Sequence, residues 1–398
     1  MVPKLRFRKF SKEWTKIRLG DYLQNYQKKV SSDTDIPVYS SSRQGLKPQA
    51  EYFANRELQN DGEYGVVPFG YITYRHMSDD NTFHFNLNNK LPEIAVSKEY
   101  PVFTGKGLNN YFLLSKLNHT DEFKLFAVQQ KAGGTRTRLY FKNLCEWRAT
   151  FPELEEQIQI SDFLSSVDER IKLLSKQYGL LCQYKKGMMQ KIFSQELRFK
   201  DDSGRAFPEW KSTILDEVVD LITNGLALDQ NDSKNGYPVS RIETISEHCI
   251  NMSKVGFVNT GNDISNYKLN YGDMLFSNIN SISHIGKIAY FNIDDTLYHG
   301  MNLLRIVIKN SHCKLFFYYQ LTTDTNKKYF ESRANQAVSQ ASINQTELRK
   351  TPVQVPCQEE QTKIANFLSA LDDKITVKKA ELDKLKTWKQ GLLQQMFI

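Results

Sequence analysis

The chain has 398 residues, a net charge of +8, 40% hydrophobic and 12% aromatic residues, enough for two or three domains with sizeable cores. No run of about 18 apolar residues predicts a membrane span, and Lys4, Arg6, Arg8 and Lys9 are not followed by the apolar stretch of a secretory leader. Cys145, Cys182, Cys249, Cys313 and Cys357 form no CxxC pair, which argues against a disulfide framework or a zinc site and favours a reducing cytoplasm.

In chain order, a first segment opens with Leu5-Arg6-Phe7, then Glu13-Trp14 and Leu19-Gly20-Asp21. Short strand-like runs follow at 36–39, 64–67, 71–74, 82–85 and 94–96, separated by polar loops at 40–45 and 76–81. Helical stretches are expected at 111–117 and 122–130, then a basic glycine loop, Gly133-Gly134-Thr135-Arg136-Thr137-Arg138. Residues 1–152 carry 23 Lys+Arg against 15 Asp+Glu, a surplus of +8, and such a surface suits a polyanion.

A long helical stretch runs from Pro152 to Phe193. A second segment then reopens with Leu197-Arg198-Phe199, Glu209-Trp210 and Leu215-Asp216-Glu217. Strands are expected at 238–242, 273–277, 286–292 and 302–308, and a helix at 315–321. Residues 194–356 hold 17 Lys+Arg against 18 Asp+Glu, so this segment is nearly neutral. A second long helix closes the chain from Pro356 to Phe397.

The two long helices are copies. Shifted by 204 positions, they align without a gap and match at 15 of 42 positions. Pro-x-x-Glu-Glu-Gln opens both, at Pro152–Gln157 and Pro356–Gln361, and Asp168, Lys185, Gly187 and Phe193 meet Asp372, Lys389, Gly391 and Phe397. A proline suits a first helical turn, and the acids Glu153, Glu155, Glu156, Glu359 and Glu360 suit the positive end of the helix dipole. Apolar residues recur at steps of three and four, from Ile160, Leu164, Val167 and Ile171 onward in one copy and Ile364, Leu368, Leu371 and Ile375 in the other. This is a heptad seam that wants a partner. Lys185, Lys389 and Lys378 interrupt it. Each helix is the natural partner of the other, as a rod of roughly 57 Å.

The sequence carries no familiar catalytic signature. Gly105-Lys106 and Gly286-Lys287 lack the rest of a phosphate-binding GxxxxGK[ST] loop. There is no HExxH and no glycine-rich cofactor loop after a strand. Pro208-Glu209-Trp210-Lys211 mimics the end of a nuclease motif, but its counterpart at 12–15 lacks the lysine, so Trp210 is expected to pack. No catalytic residue, metal or cofactor is expected.

Two unlike segments and two like helices, each helix opening Pro-x-x-Glu-Glu-Gln and each segment Leu-Arg-Phe…Glu-Trp, resemble the specificity subunits of type I restriction–modification enzymes along the whole chain. The resemblance implies an α+β fold of two mixed α/β target-recognition domains, separated by two long helices in an antiparallel intramolecular coiled coil with pseudo-two-fold character. The domains would be 1–151 and 194–355, the spacer helices 152–193 and 356–398. Each domain would read half of a split double-stranded DNA target. The helices would set the gap and dock two methyltransferase subunits, and restriction/translocase subunits would join the complex. The near-neutral second segment departs from the expected charge.

Side chains able to reach base edges or phosphates are Ser42, Arg43, Gln44, Lys47, Tyr74, Arg75, Arg136 and Arg138 in the first segment. In the second they are Arg241, Ser277, Asn278, Asn280, Ser281, Lys287, Gln336 and Gln340. Two other classes stay open: a stand-alone nuclease or methyltransferase with an unfamiliar site, and a coiled-coil scaffold. S-adenosylmethionine binding or DNA cleavage by the isolated chain would mark the first. The two aromatic-rich segments speak against the second. The order segment, helix, segment, helix predicts that Phe397 ends near Leu5.

Overall fold

The structure is a computed structural model and describes residues 3–53, 62–131, 136–245, 249–282, 284–336 and 341–397. The chain forms two compact units. The first comprises Met1–Lys176 with Lys379–Ile398, the second Gln177–Lys378, so each unit owns part of both long helices.

In the first unit, strands Thr15–Arg18 and Arg148–Phe151 pair antiparallel, Thr15 opposite Phe151. They bring the segment's start and end to the foot of the first long helix. Two further sheets are built from Glu93–Ser97, Glu63–Pro68 and Lys29–Ser31, and from Leu23–Asn25, Val102–Gly105, Ile72–Tyr74 and Phe85–Leu87. Helices Asn110–His119 and Asp121–Gln129 cover this second sheet's aromatic face. Phe85, Phe103, Phe112, Phe123 and Trp147 are all at most 2% exposed there. Asn109 and Thr120 cap the two helices, their side chains accepting from the first-turn amides.

The second unit repeats this plan. Lys211–Ile214 pairs with Pro352–Val355. A four-stranded sheet runs Val219–Asn224, Leu303–Ile308, Met274–Ser277, Ile288–Tyr290, covered by helices Lys314–Leu321 and Asp324–Arg333. Of the expected strands, 64–67, 71–74 and 94–96 in the first unit and 273–277 and 302–308 in the second fall on observed ones. The run at 36–39 meets its strand only at its end, since Tyr39–Ser42 forms a hairpin with Gly45–Pro48. The strand expected at 82–85 is Phe85–Leu87, because Thr82 is drawn into a turn by Asp80.

The long helices span Leu154–Phe193 and Gln358–Met396. Pro152 and Pro356 stand two residues before them rather than in the first turn. Their carbonyls accept from the Nε2 groups of Gln157 and Gln361, at 2.9 and 2.8 Å. In the first unit, Ile160, Leu164 and Val167 share a core with Leu392, Leu393, Met396 and Phe397. In the second, Ile192 shares a core with Ile364, Leu368 and Leu371. In each unit the start of one helix meets the end of the other, which is antiparallel pairing.

Matched contacts weld both units to these helices. Glu156 is 1% exposed and Glu360 0%. They do not merely face the helix dipole: each accepts two hydrogen bonds from an arginine, Glu156 from Arg6 at 2.7 Å and Glu360 from Arg198 at 2.8 and 2.9 Å. Gln157 Oε1 accepts from the Asn109 amide at 3.0 Å, and Gln361 Oε1 from the Cys313 amide at 2.9 Å. The repeated Glu-Gln is therefore a joint between helix and globular body. Trp210 packs against Phe316 and Phe193 and donates to Glu360 at 2.9 Å, the packing role expected of it. At the chain's start, the Leu5 amide donates to the Gln395 carbonyl at 2.9 Å, as the Leu197 amide does to that of Lys191 at 3.0 Å. The expected meeting of the ends is present.

Candidate nucleic-acid interface

In the first unit, the hairpin Tyr39–Ser42/Gly45–Pro48 lifts Arg43 and Gln44 into solvent. The tight turn needs a residue with positive φ, and Gly45, at +104°, provides it. Ser42 spends its hydroxyl on that turn, donating to the Gly45 carbonyl at 2.8 Å and accepting from the Gln44 amide at 3.1 Å. Beyond strand Ile72–Tyr74, Arg75 stands exposed, followed by Met77–Ser78 paired with Thr137–Arg138. These elements surround a cavity of about 620 Å³ lined by Ser42, Arg43, Gln44, Arg75, Asp79 and His84 among others.

Two carboxylates organise the basic groups. Asp80 receives Arg43 at 2.5 Å and Asp79 receives Arg136 at 2.7 Å. Hydrogen bonds from Thr82, Arg43 and Ser78 hold the Asp80 carboxyl well below the ordinary range. Burial, then Arg43, lowers His84. Arg75 and Arg138 are exposed and have no ion-pair partner among the described residues. Lys47 lies half-buried and donates to Gln44 Oε1 at 2.6 Å. Tyr74 must be corrected: it is 0% exposed, and its hydroxyl donates to the Leu139 carbonyl at 2.9 Å. Its ring anchors the strand from below, so it cannot reach a ligand.

In the second unit, the matching strand is Met274–Ser277, continued by Ile279–Asn280 against Ala341–Ser342. The Leu139 amide donates to the His76 carbonyl at 2.8 Å, as Ile343 does to Asn278 at 2.9 Å. That bond matches His76 with Asn278 and Arg75 with Ser277. Ser277 is a second correction, 1% exposed within its strand. Asn278 is 8% exposed, and its Oδ1 is a buried acceptor with no partner among the described residues, like His76 Nδ1. Asn280, Ser281 and Lys287 line a small cavity of about 260 Å³ with Glu243 and His284. Arg241 lines a different one, about 500 Å³, with Asp232 and Lys234. It is held by Asp232 at 2.7 Å and Gln230 at 2.8 Å. Gln336 belongs to a strand of the sheet that holds Asn280, and Gln340 lies outside the described residues.

Four of the first candidates, Ser42, Arg43, Gln44 and Arg75, thus line one cavity, whereas those of the second that line a cavity divide over two. Sequence reasoning missed the acids that steer the arginines, Asp79, Asp80 and Asp232, although each lies in a loop rich in Ser, Asn and Asp, where such side chains build turns.

The family described as type I restriction modification DNA specificity domain matches residues 11–180 and again residues 208–387. The chain belongs to this family. A curated relative from Methanocaldococcus jannaschii, named as the type I restriction enzyme MjaX specificity subunit, is 40% identical over 210 residues. That alignment covers 52% of this chain and 49% of the relative, so the chain spans about half the length of that protein. The type I restriction enzyme MjaVIII specificity subunit of the same organism is 27% identical over 96% of this chain and 91% of its own length. Among solved structures, the type I restriction–modification S subunit from M. genitalium superposes with a TM-score of 0.63 at 15% identity, over 100% of this chain and 99% of that one. This last likeness concerns the fold alone. Two family matches on one chain agree with the two units and their matched joints.

Proposed function

We propose that this specificity-family chain reads a split double-stranded DNA target, residues 1–151 recognising one half and residues 194–355 the other. The helical stretches 152–193 and 356–398 act as the spacer that sets the gap and docks two methyltransferase subunits, with restriction/translocase subunits joining that complex in the cytoplasm. The chain itself is non-catalytic and needs no cofactor. It directs adenine methylation and restriction.

One observation carries this reading. The contacts that join body to helix are duplicated, whereas the accessible polar side chains beyond them differ, Arg43, Gln44, Arg75 and Arg136 in the first unit against Asn280 and Ser281 in the second. A common frame with two unlike reading faces suits two unlike half-sites. Asn280, Ser281, Arg43, Gln44, Arg75, Arg136 and Arg138 are the side chains best placed to make those contacts.

The test is methylation mapping after residues 194–355 are replaced by the equivalent segment of another family member. One half of the methylated sequence should change while the other half and the gap persist. Inserting a heptad, about 10 Å, into both helices should alter the gap alone. A replacement that rewrites both halves, or neither, rejects the two-reader arrangement.

A further inference from the structure

The seam lysines that interrupt the heptads are paired. Lys389 Nζ lies 2.5 Å from Asp168 Oδ1 in the first unit, and Lys185 Nζ 2.5 Å from Asp372 Oδ1 in the second. Each carboxylate also accepts a tyrosine hydroxyl from the globular body, Asp168 from Tyr111 and Asp372 from Tyr319, the latter at 2.8 Å. Lys185 Nζ further sits over the Tyr319 ring, 5.1 Å from its centroid. Each network joins three elements: one helix, the other helix, and the body's own helix Asn110–His119 or Lys314–Leu321.

Their positions are informative. Asp168 follows Val167 and Asp372 follows Leu371, the last of the closely spaced buried seam residues before each helix becomes mostly half-exposed. Beyond that point the seam residues are mostly half-buried, Ile171, Leu174 and Ile375 among them, although Leu382 stays 6% exposed. An apolar seam repeating every three or four residues matches itself again after a heptad. A charged pair does not, since sliding by a heptad leaves both ions unpaired. The pattern is also directional. Asp168 and Asp372 occupy one position of the repeat, Lys185 and Lys389 another, so parallel pairing in register would set like charges together.

We propose that Tyr111–Asp168–Lys389 and Tyr319–Asp372–Lys185 are positioning keys. They fix the stagger at which the paired helices leave each globular body, and through it the gap that the complex accepts. The consequence for the gap rests on the function proposed above; the stagger does not.

The experiment uses the full chain without its native cysteines, spin-labelled at Lys172→Cys and Lys384→Cys beside the first key. The apolar pair Asp168→Leu with Lys389→Leu should stay folded but broaden the label distance. The exchanged pair Asp168→Lys with Lys389→Asp should restore a narrow one. In the reconstituted complex, the apolar pair should methylate sites of more than one gap length, and the exchanged pair sites of one. An unchanged narrow distance in the apolar pair overturns the key. A broadened distance with a single gap length overturns its role in spacing. A parent complex that methylates no split site defeats the functional reading, while the distance still decides the key.

Discussion

The two compact units of this chain are the same object built twice and filled differently. Both clamp an arginine on a buried glutamate, bury a tryptophan and pin a short helix with a glutamine side chain. The fillings diverge just above that joint. Trp210 Nε1 donates to Glu360, but Trp14 Nε1 is buried without a partner among the described residues. Gln320 sits buried and bonded to the backbone of Gln354, where the first unit has Lys116. Lys116 is 0% exposed, with Nζ 5.5 Å from the Phe151 ring centroid and 3.4 Å from Glu122. The lesson is that duplication preserved the attachment and left the interior and the reading edge free to change.

The joint should show the largest effect. Glu360→Ala strands the Arg198 guanidinium and the Trp210 N–H, a loss of about 3–5 kcal/mol. Glu156→Ala should cost about 1 kcal/mol less, because Trp14 has no such bond to lose. Denaturant titration of both variants checks it, and equal losses would break the distinction.

Acid should weaken the second unit next. His299 is 1% exposed and its Nε2 donates to the Leu303 carbonyl at 3.0 Å. Burial lowers its pKa to about 4. The unfolded chain takes up the proton near the ordinary 6.5 and the folded one only near 4, so stability is lost as pH falls across that window. The loss amounts to about 3 kcal/mol. His299→Gln, melted from pH 7 to 4, should lack this part of the decline.

Lys116→Gln would make the first unit resemble the second. Removing a buried charge should raise stability by about 1–2 kcal/mol at neutral pH. Burial lowers the Lys116 pKa, so the parent should gain stability as pH rises from that lowered value toward about 10.4. The variant should not. A variant that is less stable would show that the aromatic cage and Glu122 outweigh the desolvation.

The smallest effect separates the reading edges. Arg75→Ser, which copies the matched residue Ser277, should weaken DNA binding about tenfold and reduce the salt slope by about 1. Ser277→Ala, buried in its strand, should leave binding within error. Titrations of the complex at several salt concentrations decide it.

The sequence by itself determined the duplication, the helical copies and their seam, and several central strands. These rest on periodicity and on residue types repeated at fixed spacing, which need no tertiary knowledge. It also showed that Lys185 and Lys389 break the seam, but not that Asp372 and Asp168 answer them. Those partners lie 187 and 221 residues away and meet only when the helices run antiparallel. Tyr74 was legible as a strand residue, yet which face it took depended on the register of Ile72–Tyr74 between its neighbours. One step along a strand turns a side chain from solvent to core. The same alternation leaves Arg75, one step beyond Tyr74, exposed. The joint's true chemistry was hidden too: a glutamate in a first helical turn looks like a dipole partner until folding brings Arg6 onto it from 150 residues away. Local pattern decides what a segment becomes, and only packing decides which of its side chains remain available to act.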